Sequence, residues 1–240
     1  MTLIIGLRGA DGVVLASDSQ GTHDALRRPT QKLFRSRCGL IWGTAGPLAG
    51  TQALYAEFEK LDLEANPRRE DAKAAIARAI RASAARLITP DEEGQKWFEG
   101  LFAWFDAFDQ RHYLLLARHD GHSEFMTPYG AVGSSSQLGL FGFSRSAFMG
   151  YKTLQLETTK MLTYTVAEDA VTASAKGVDG PIQMAVASGG LASVLRDDEL
   201  QPVRDTAAAF QLHQLDFLKR VGAPVDKSPP GGIVPGTRGG

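Results

Sequence analysis

Cysteine is nearly absent from this chain: Cys38 is the only one in 240 residues. An internal disulfide framework is therefore excluded, and a reducing, cytoplasmic setting is the expectation. Charge of one sign is missing as well. Lys and Arg number 26 against 27 Asp and Glu, a formal net charge of −1, so no basic field is available for a nucleic-acid partner. No uninterrupted apolar run approaches the roughly 18 residues that span a bilayer. The chain opens directly in a strand pattern, without the basic and apolar segments of a leader, and no membrane partner is expected. Five histidines, His23, His112, His119, His122 and His213, make no ligand-like set. His119 and His122 straddle the Asp120-Gly121 turn, where solvation or local hydrogen bonding accounts for them, and no metal is expected.

What is present describes a soluble globular protein, since 43% hydrophobic and 22% charged residues match an ordinary packed domain. One domain over residues 1–220 is expected, followed by a Gly- and Pro-rich tail, 221–240, that cannot bury enough to offset its ordering entropy.

The organising stretch is Met1 to Asp18, MTLIIGLRGADGVVLASD. Leu3–Leu7 and Val13–Ala16 read as strands around the Asp11-Gly12 hairpin signal. The hairpin puts Thr2 at the free end of a strand. Removal of Met1 would give Thr2 a hydroxyl and an adjacent free amine, the smallest self-contained nucleophile and base. A threonine there is also simply a good β-former.

A polar linker, Ser19–Gln31, leads to a second hairpin, Leu33–Arg35 with Leu40–Gly43. Helices follow over Leu48–Leu61 and about Arg69–Leu87, the second rich in alanine and expected to pack closely on a neighbour. Strands come next at Phe102–Phe108, His112–Ala117 and Ser123–Met126, then a Gly/Ser loop at Gly130–Ser136. Helices over Gln137–Tyr151 and Leu156–Ala175, strands at Ile182–Ala187 and Leu191–Leu195, and a helix over Val203–Lys219 complete the pattern. This order suits two packed sheets, each covered by a helix pair, an α+β fold with four αββα layers. Gly6, Gly9 and Gly12 are wrongly spaced for a phosphate loop, and a strand follows them.

The first hairpin places Thr2 beside the strand that ends at Asp18, and Lys32 begins the next strand. A lysine ammonium could stabilise a threonine alkoxide while Asp18 holds that lysine. A surface salt bridge is the rival account of the same two residues. Gly43-Thr44-Ala45-Gly46 supplies a glycine entering a helix, able to offer an unshielded N–H to an oxyanion or merely to turn the chain.

Taken together, Thr2-Leu3-Ile4-Ile5-Gly6, Asp11 to Asp18, Lys32, Thr44-Ala45-Gly46 and Gly133-Ser134 resemble the proteasome β-type peptidases of the N-terminal-nucleophile hydrolases, in particular simple bacterial ring formers. The element order agrees over roughly residues 2–200. The resemblance implies a threonine protease: Thr2 as nucleophile with its α-amine as base, Asp18 and Lys32 as the polarising pair, Gly46 as oxyanion donor and Ser134 orienting the amine. It also implies Gly21, Thr44, Gly46 and Leu48 along the substrate groove. Thr2 Oγ would attack a peptide carbonyl and water would release the threonyl ester, with no cofactor. Peptides or unfolded proteins would be the substrates, and self-association into a ring, stacked on another, would confine them; an unfolding ATPase partner is left open.

One stretch departs from the family pattern. Lys176 stands where members carry an aspartate and Asp179 where they carry a serine, so Asp179 is the candidate to complete the amine-orienting network. The segment between Asp18 and Lys32 is about two residues short. Two other readings stay open: a noncatalytic ring-forming scaffold of the same fold, and an amidohydrolase that uses Thr2 on a small amide.

Overall fold

The computed structural model describes residues 2–23, 26–86, 98–133, 136, 137, 139, 153–173 and 178–222, and within 21–28 only the backbone. Chain order begins with strands β1 (Leu3–Arg8), β2 (Val13–Ser17), β3 (Gln20–His23), β4 (Leu26–Pro29), β5 (Leu33–Arg35) and β6 (Ile41–Ala45). Helices α1 (Leu48–Phe58) and α2 (Arg69–Ala85) come next, then β7 (Glu99–Asp106), β8 (Arg111–Arg118), β9 (Ser123–Phe125) and β10 (Tyr129–Gly133). Helix α3 (Leu156–Ala173), strands β11 (Gln183–Ser188) and β12 (Leu191–Val194), and helix α4 (Asp197–Gly222) close the described chain.

The first hairpin forms as its turn residues dictate, pairing Ile4 with Ser17 and Arg8 with Val13. It sits inside a five-stranded sheet of order β10-β1-β2-β11-β12. A second five-stranded sheet runs β5-β6-β7-β8-β9, and β3 pairs only with β4. All the pairings are antiparallel.

Strand alternation sorts the side chains into layers. Ile4, Val13, Leu15, Ile41, Leu101, Ala103, Leu114, Val132, Ala185 and Ala187 fill the space between the two sheets. The opposite face of the second sheet gives Trp42, Phe102, Trp104 and Leu115 to a core shared with Leu54 and Phe58 of α1 and Ala72, Ile76 and Ile80 of α2. Helix α3 covers β1 and β2. The result is an αββα sandwich, as the element order predicts.

The chain divides into two compact units, Met1–Ala207 and Ala208–Gly240. The sandwich is the first. In the second, the described residues continue α4 to Gly222, and five large apolar side chains there, Leu212, Leu215, Phe217, Leu218 and Val221, lie 52–68% exposed. Among the described residues, no helix is long and apolar enough to cross a membrane.

Three differences from the sequence expectations have physical causes. The Ser19–Gln31 segment read as a linker contains β3 and β4, whose few polar residues carry no alternation to detect. The segment read as a Gly/Ser loop contains β10, which pairs Ala131 with Ile5 and Gly130 with Gly6; a cross-strand partner overrides the poor strand propensity of glycine. The last helix begins at Asp197, ahead of the expected Val203. Its first turn carries Asp197, Asp198 and Glu199, and Glu199 Oε2 accepts the Arg196 N–H at 2.8 Å. Together these cap and charge the helix end, while Pro202 forfeits one intrahelical bond. Most of the expected Gln137–Tyr151 helix, and the tail beyond Gly222, lie outside the described residues.

Trp42 is fully buried, stacked on Phe34 at 4.6 Å and on Phe102 at 6.5 Å, with Phe58 at 5.1 Å. Trp42→Ala opens a cavity between α1 and the second sheet. Denaturant titration should show a loss of about 3–5 kcal/mol, with the unfolding slope unchanged.

Candidate functional site

Three strand ends and one loop converge where the first hairpin begins. Thr2 precedes β1, and continuing the alternation puts it on the face of Ile4, toward the space between the sheets. Asp18 follows β2 and is fully buried. Its Oδ1 accepts the Leu3 N–H at 2.9 Å, and its Oδ2 accepts the Gln20 N–H at 3.2 Å and the Lys32 ammonium at 2.7 Å. The Asp18 N–H donates back to the Leu3 carbonyl at 3.3 Å. The open alternatives for Asp18 and Lys32 thus narrow, because a pair 0% and 7% exposed is no surface salt bridge.

Burial holds the Lys32 pKa below its ordinary value, and Asp18 only partly offsets that. An ion pair of this kind adds little net stability, yet it is severe to break. Gln183 completes the support: its Oε1 accepts the Lys32 backbone N–H at 2.9 Å and its Nε2 donates to the Thr30 carbonyl at 2.7 Å. Among the described residues, the Ser17 and Ser19 hydroxyls and Gln20 Oε1 find no hydrogen-bond partner.

Gly46 follows β6 with φ +138° and leads through Pro47 into α1, a turn that a side chain would strain. The Thr44 hydroxyl faces α1 and shares a hydrogen bond with the Thr51 hydroxyl at 2.7 Å. Leu48 opens α1 and is 52% exposed. Gly21 pairs with Arg28 in the β3–β4 hairpin. Ser134 lies outside the described residues. Asp179 is exposed, and its Oδ1 accepts the N–H of the next residue, Gly180, at 2.6 Å. Its carboxylate therefore caps its own turn, while Gly180 packs against Ser19.

Glu99 and Gln183 escape the sequence reading, although a signal for both was present. Glu99 shares a strand face with Leu101 and Ala103, and Gln183 with Ala185 and Ala187. All four of those neighbours belong to the core between the sheets. A polar side chain on a buried face must find a partner or carry a desolvation cost. Glu99 Oε1 accepts the Gly133 N–H at 3.1 Å. Burial raises its pKa, with the Gly133 amide and Arg118 opposing. Among the described residues, no group of three or more His, Cys, Asp or Glu could hold a metal ion.

Two antiparallel sheets between helices, with a threonine at the first strand and a buried Asp–Lys pair beneath it, define the N-terminal-nucleophile hydrolase fold class. Residues 2–179 match the family described as proteasome subunit, and the chain belongs to that family. No curated protein matches it.

Among solved structures, the helical assembly of the Anbu complex from Pseudomonas aeruginosa is similar at TM-score 0.72 and 19% identity, over 93% of this chain and 98% of that one. A Gly-1 mutant of Anbu from Hyphomicrobium sp. strain MC1 matches at 0.69 and 18%, over 95% and 99%. Anbu from Yersinia bercovieri, described as an ancestral β-subunit, matches at 0.69 and 15%, over 97% and 99%. At these identities the likeness establishes the fold.

The threonine-protease expectation is corrected here. These similar structures are Anbu proteins and an assembly of them, and none is described as a peptidase. The physical reason lies in the motif. Asp18 has a folding role, accepting the Leu3 and Gln20 backbone amides, and Lys32 balances its buried charge, so their presence does not by itself imply peptide hydrolysis.

Replacing Lys32 with Met should leave the Asp18 carboxylate buried and unpaired, at a cost of about 3–5 kcal/mol in a denaturant titration. Adding Asp18→Asn should recover part of the loss. Glu99 titrates with the opposite sign to a stabilising carboxylate. Because its folded pKa lies above the ordinary 4.5, the protonated form favours the fold; that contribution is complete below about pH 4.5 and lost as pH rises through the folded value. Melting temperature measured from pH 4 to 8 should therefore fall more with rising pH in the native chain than in Glu99→Gln.

Proposed function

We propose that this chain is a self-associating scaffold subunit on the Anbu branch of the proteasome family, one that builds rings or helical assemblies and does not cut peptides. The observation that carries this reading is the exposed apolar surface of the second unit. Leu212, Leu215, Phe217, Leu218 and Val221 fall within ten residues of one helix, each more than half exposed. Burying a side chain of this size yields about 1.5–3 kcal/mol, so association of copies would recover what the isolated unit leaves in water. The likeness to a helical assembly of the Anbu complex supports the same reading.

In this account Asp18 and Lys32 pin the first strand, Gly46 turns β6 into α1, and Thr2 ends the sheet. The single cysteine, Cys38, buried and free, fits a scaffold working in the reducing cytoplasm.

Mass photometry of the full chain at micromolar concentration should find multiples of the 25.8 kDa subunit. Leu215→Asp with Leu218→Asp should shift the distribution to smaller species without lowering the sandwich's melting temperature, and Thr2→Ala should leave the assembly unchanged. A purely monomeric native chain, or peptide turnover abolished by Thr2→Ala, would overturn the proposal.

A further inference from the structure

Glu99 sits on the second sheet, paired in register with Ala45 on one side and Arg118 on the other. Gly133 closes the edge strand of the first sheet, paired with Leu3. The 3.1 Å bond from the Gly133 N–H to Glu99 Oε1 therefore crosses from one sheet to the other at the mouth of the space between them. Glu99 is only 7% exposed, and an acidic residue that deeply buried needs a specific role.

Gly133 is held equally closely from the other side. Its φ of +105° suits glycine, and a Cβ built there would lie 1.9 Å from the Thr2 carbonyl oxygen and 2.8 Å from the Thr2 carbonyl carbon. Only a bare α-carbon lets the backbone come so near. The same segment is fixed from its far side by Asp18, which accepts the Leu3 N–H. Thr2 and Leu3 thus lie between two buried carboxylates. Asp18 acts on them directly, within the first sheet; Glu99 acts through Gly133, from the second.

We propose that Glu99 is a positioning residue for the start of the first strand: its carboxylate draws the Gly133 amide across the sheet interface and so seats Gly133 against Thr2. The role belongs to the acceptor oxygen and its reach. It is separate from the mode of assembly and survives whether or not copies associate.

Amide hydrogen exchange on the full-length chain, read at single residues by electron-transfer fragmentation, tests this. In Glu99→Leu, which fills the space without an acceptor, protection at Gly133 should fall by roughly tenfold, the factor that matches the net worth of a single hydrogen bond. Leu3 should lose protection with it, while Leu101 and Leu115 in the second sheet keep theirs. Glu99→Gln, which retains an oxygen at the same reach, should restore the native pattern. Glu99→Asp, which keeps the charge but withdraws the oxygen by one methylene, should resemble Leu; it also carries the comparison with Gln should the Leu variant not fold. Native protection at Gly133 and Leu3 in Glu99→Asp, or failure of Glu99→Gln to restore it, would overturn the assignment.

Discussion

The carboxylate of Asp18 is the constraint on which the Thr2 end of this fold depends. It is fully buried, and both of its oxygens are engaged by protein donors: the Leu3 amide on one, the Gln20 amide and Lys32 on the other. Any shift of β1 against β2 would strip a donor from a buried anion, a loss of several kcal/mol once the charge is unpaired. The pairing of Ile4 with Ser17 is thus held by a charge as well as by the Asp-Gly turn. Because a slip of one residue would turn Ile4 and Leu15 out of the core between the sheets, the anion also guards the apolar layer.

Polar ties concentrate at that end of the sandwich. Lys32 is held by Asp18 through its ammonium and by Gln183 through its backbone, and Glu99 reaches across to Gly133. Each of these side chains carries a desolvation cost that apolar packing would avoid; burial lowers the Lys32 pKa and raises that of Glu99. What they contribute is position. Apolar contacts tolerate sliding and repacking, whereas a buried charge accepts few geometries.

Much of the architecture was legible because its signals are local and periodic. The Asp11-Gly12 turn and the alanine-rich face of α2 each need only a few neighbouring residues to be recognised. What escaped depends on partners far away in sequence. Strand β10 exists because β1 offers it a ladder, and its glycines are chosen by what approaches them: Met126 and Leu101 at Gly130, the Thr2 carbonyl at Gly133. Glu99 and Gln183 look like ordinary polar strand residues until alternation assigns them to the inner face. The N-terminal motif was legible too: it led to the proteasome family, but not to the right member or activity within it.

That error has a physical source. A residue can be diagnostic of chemistry only if the fold would stand without it. Asp18 and Lys32 fail this condition, since each satisfies backbone or charge that folding has already buried, and any descendant of the fold has reason to keep them whatever it does. Gly46 fails it as well, because its backbone angle is needed to turn β6 into α1. Asp179 meets the condition: it is exposed, and among the described residues its carboxylate is bonded only to the amide beside it. There the chain departs from the peptidase pattern. A position with no structural duty is where the record of an activity is freest to change, and so it weighs more in reading function than the buried pair that first draws attention.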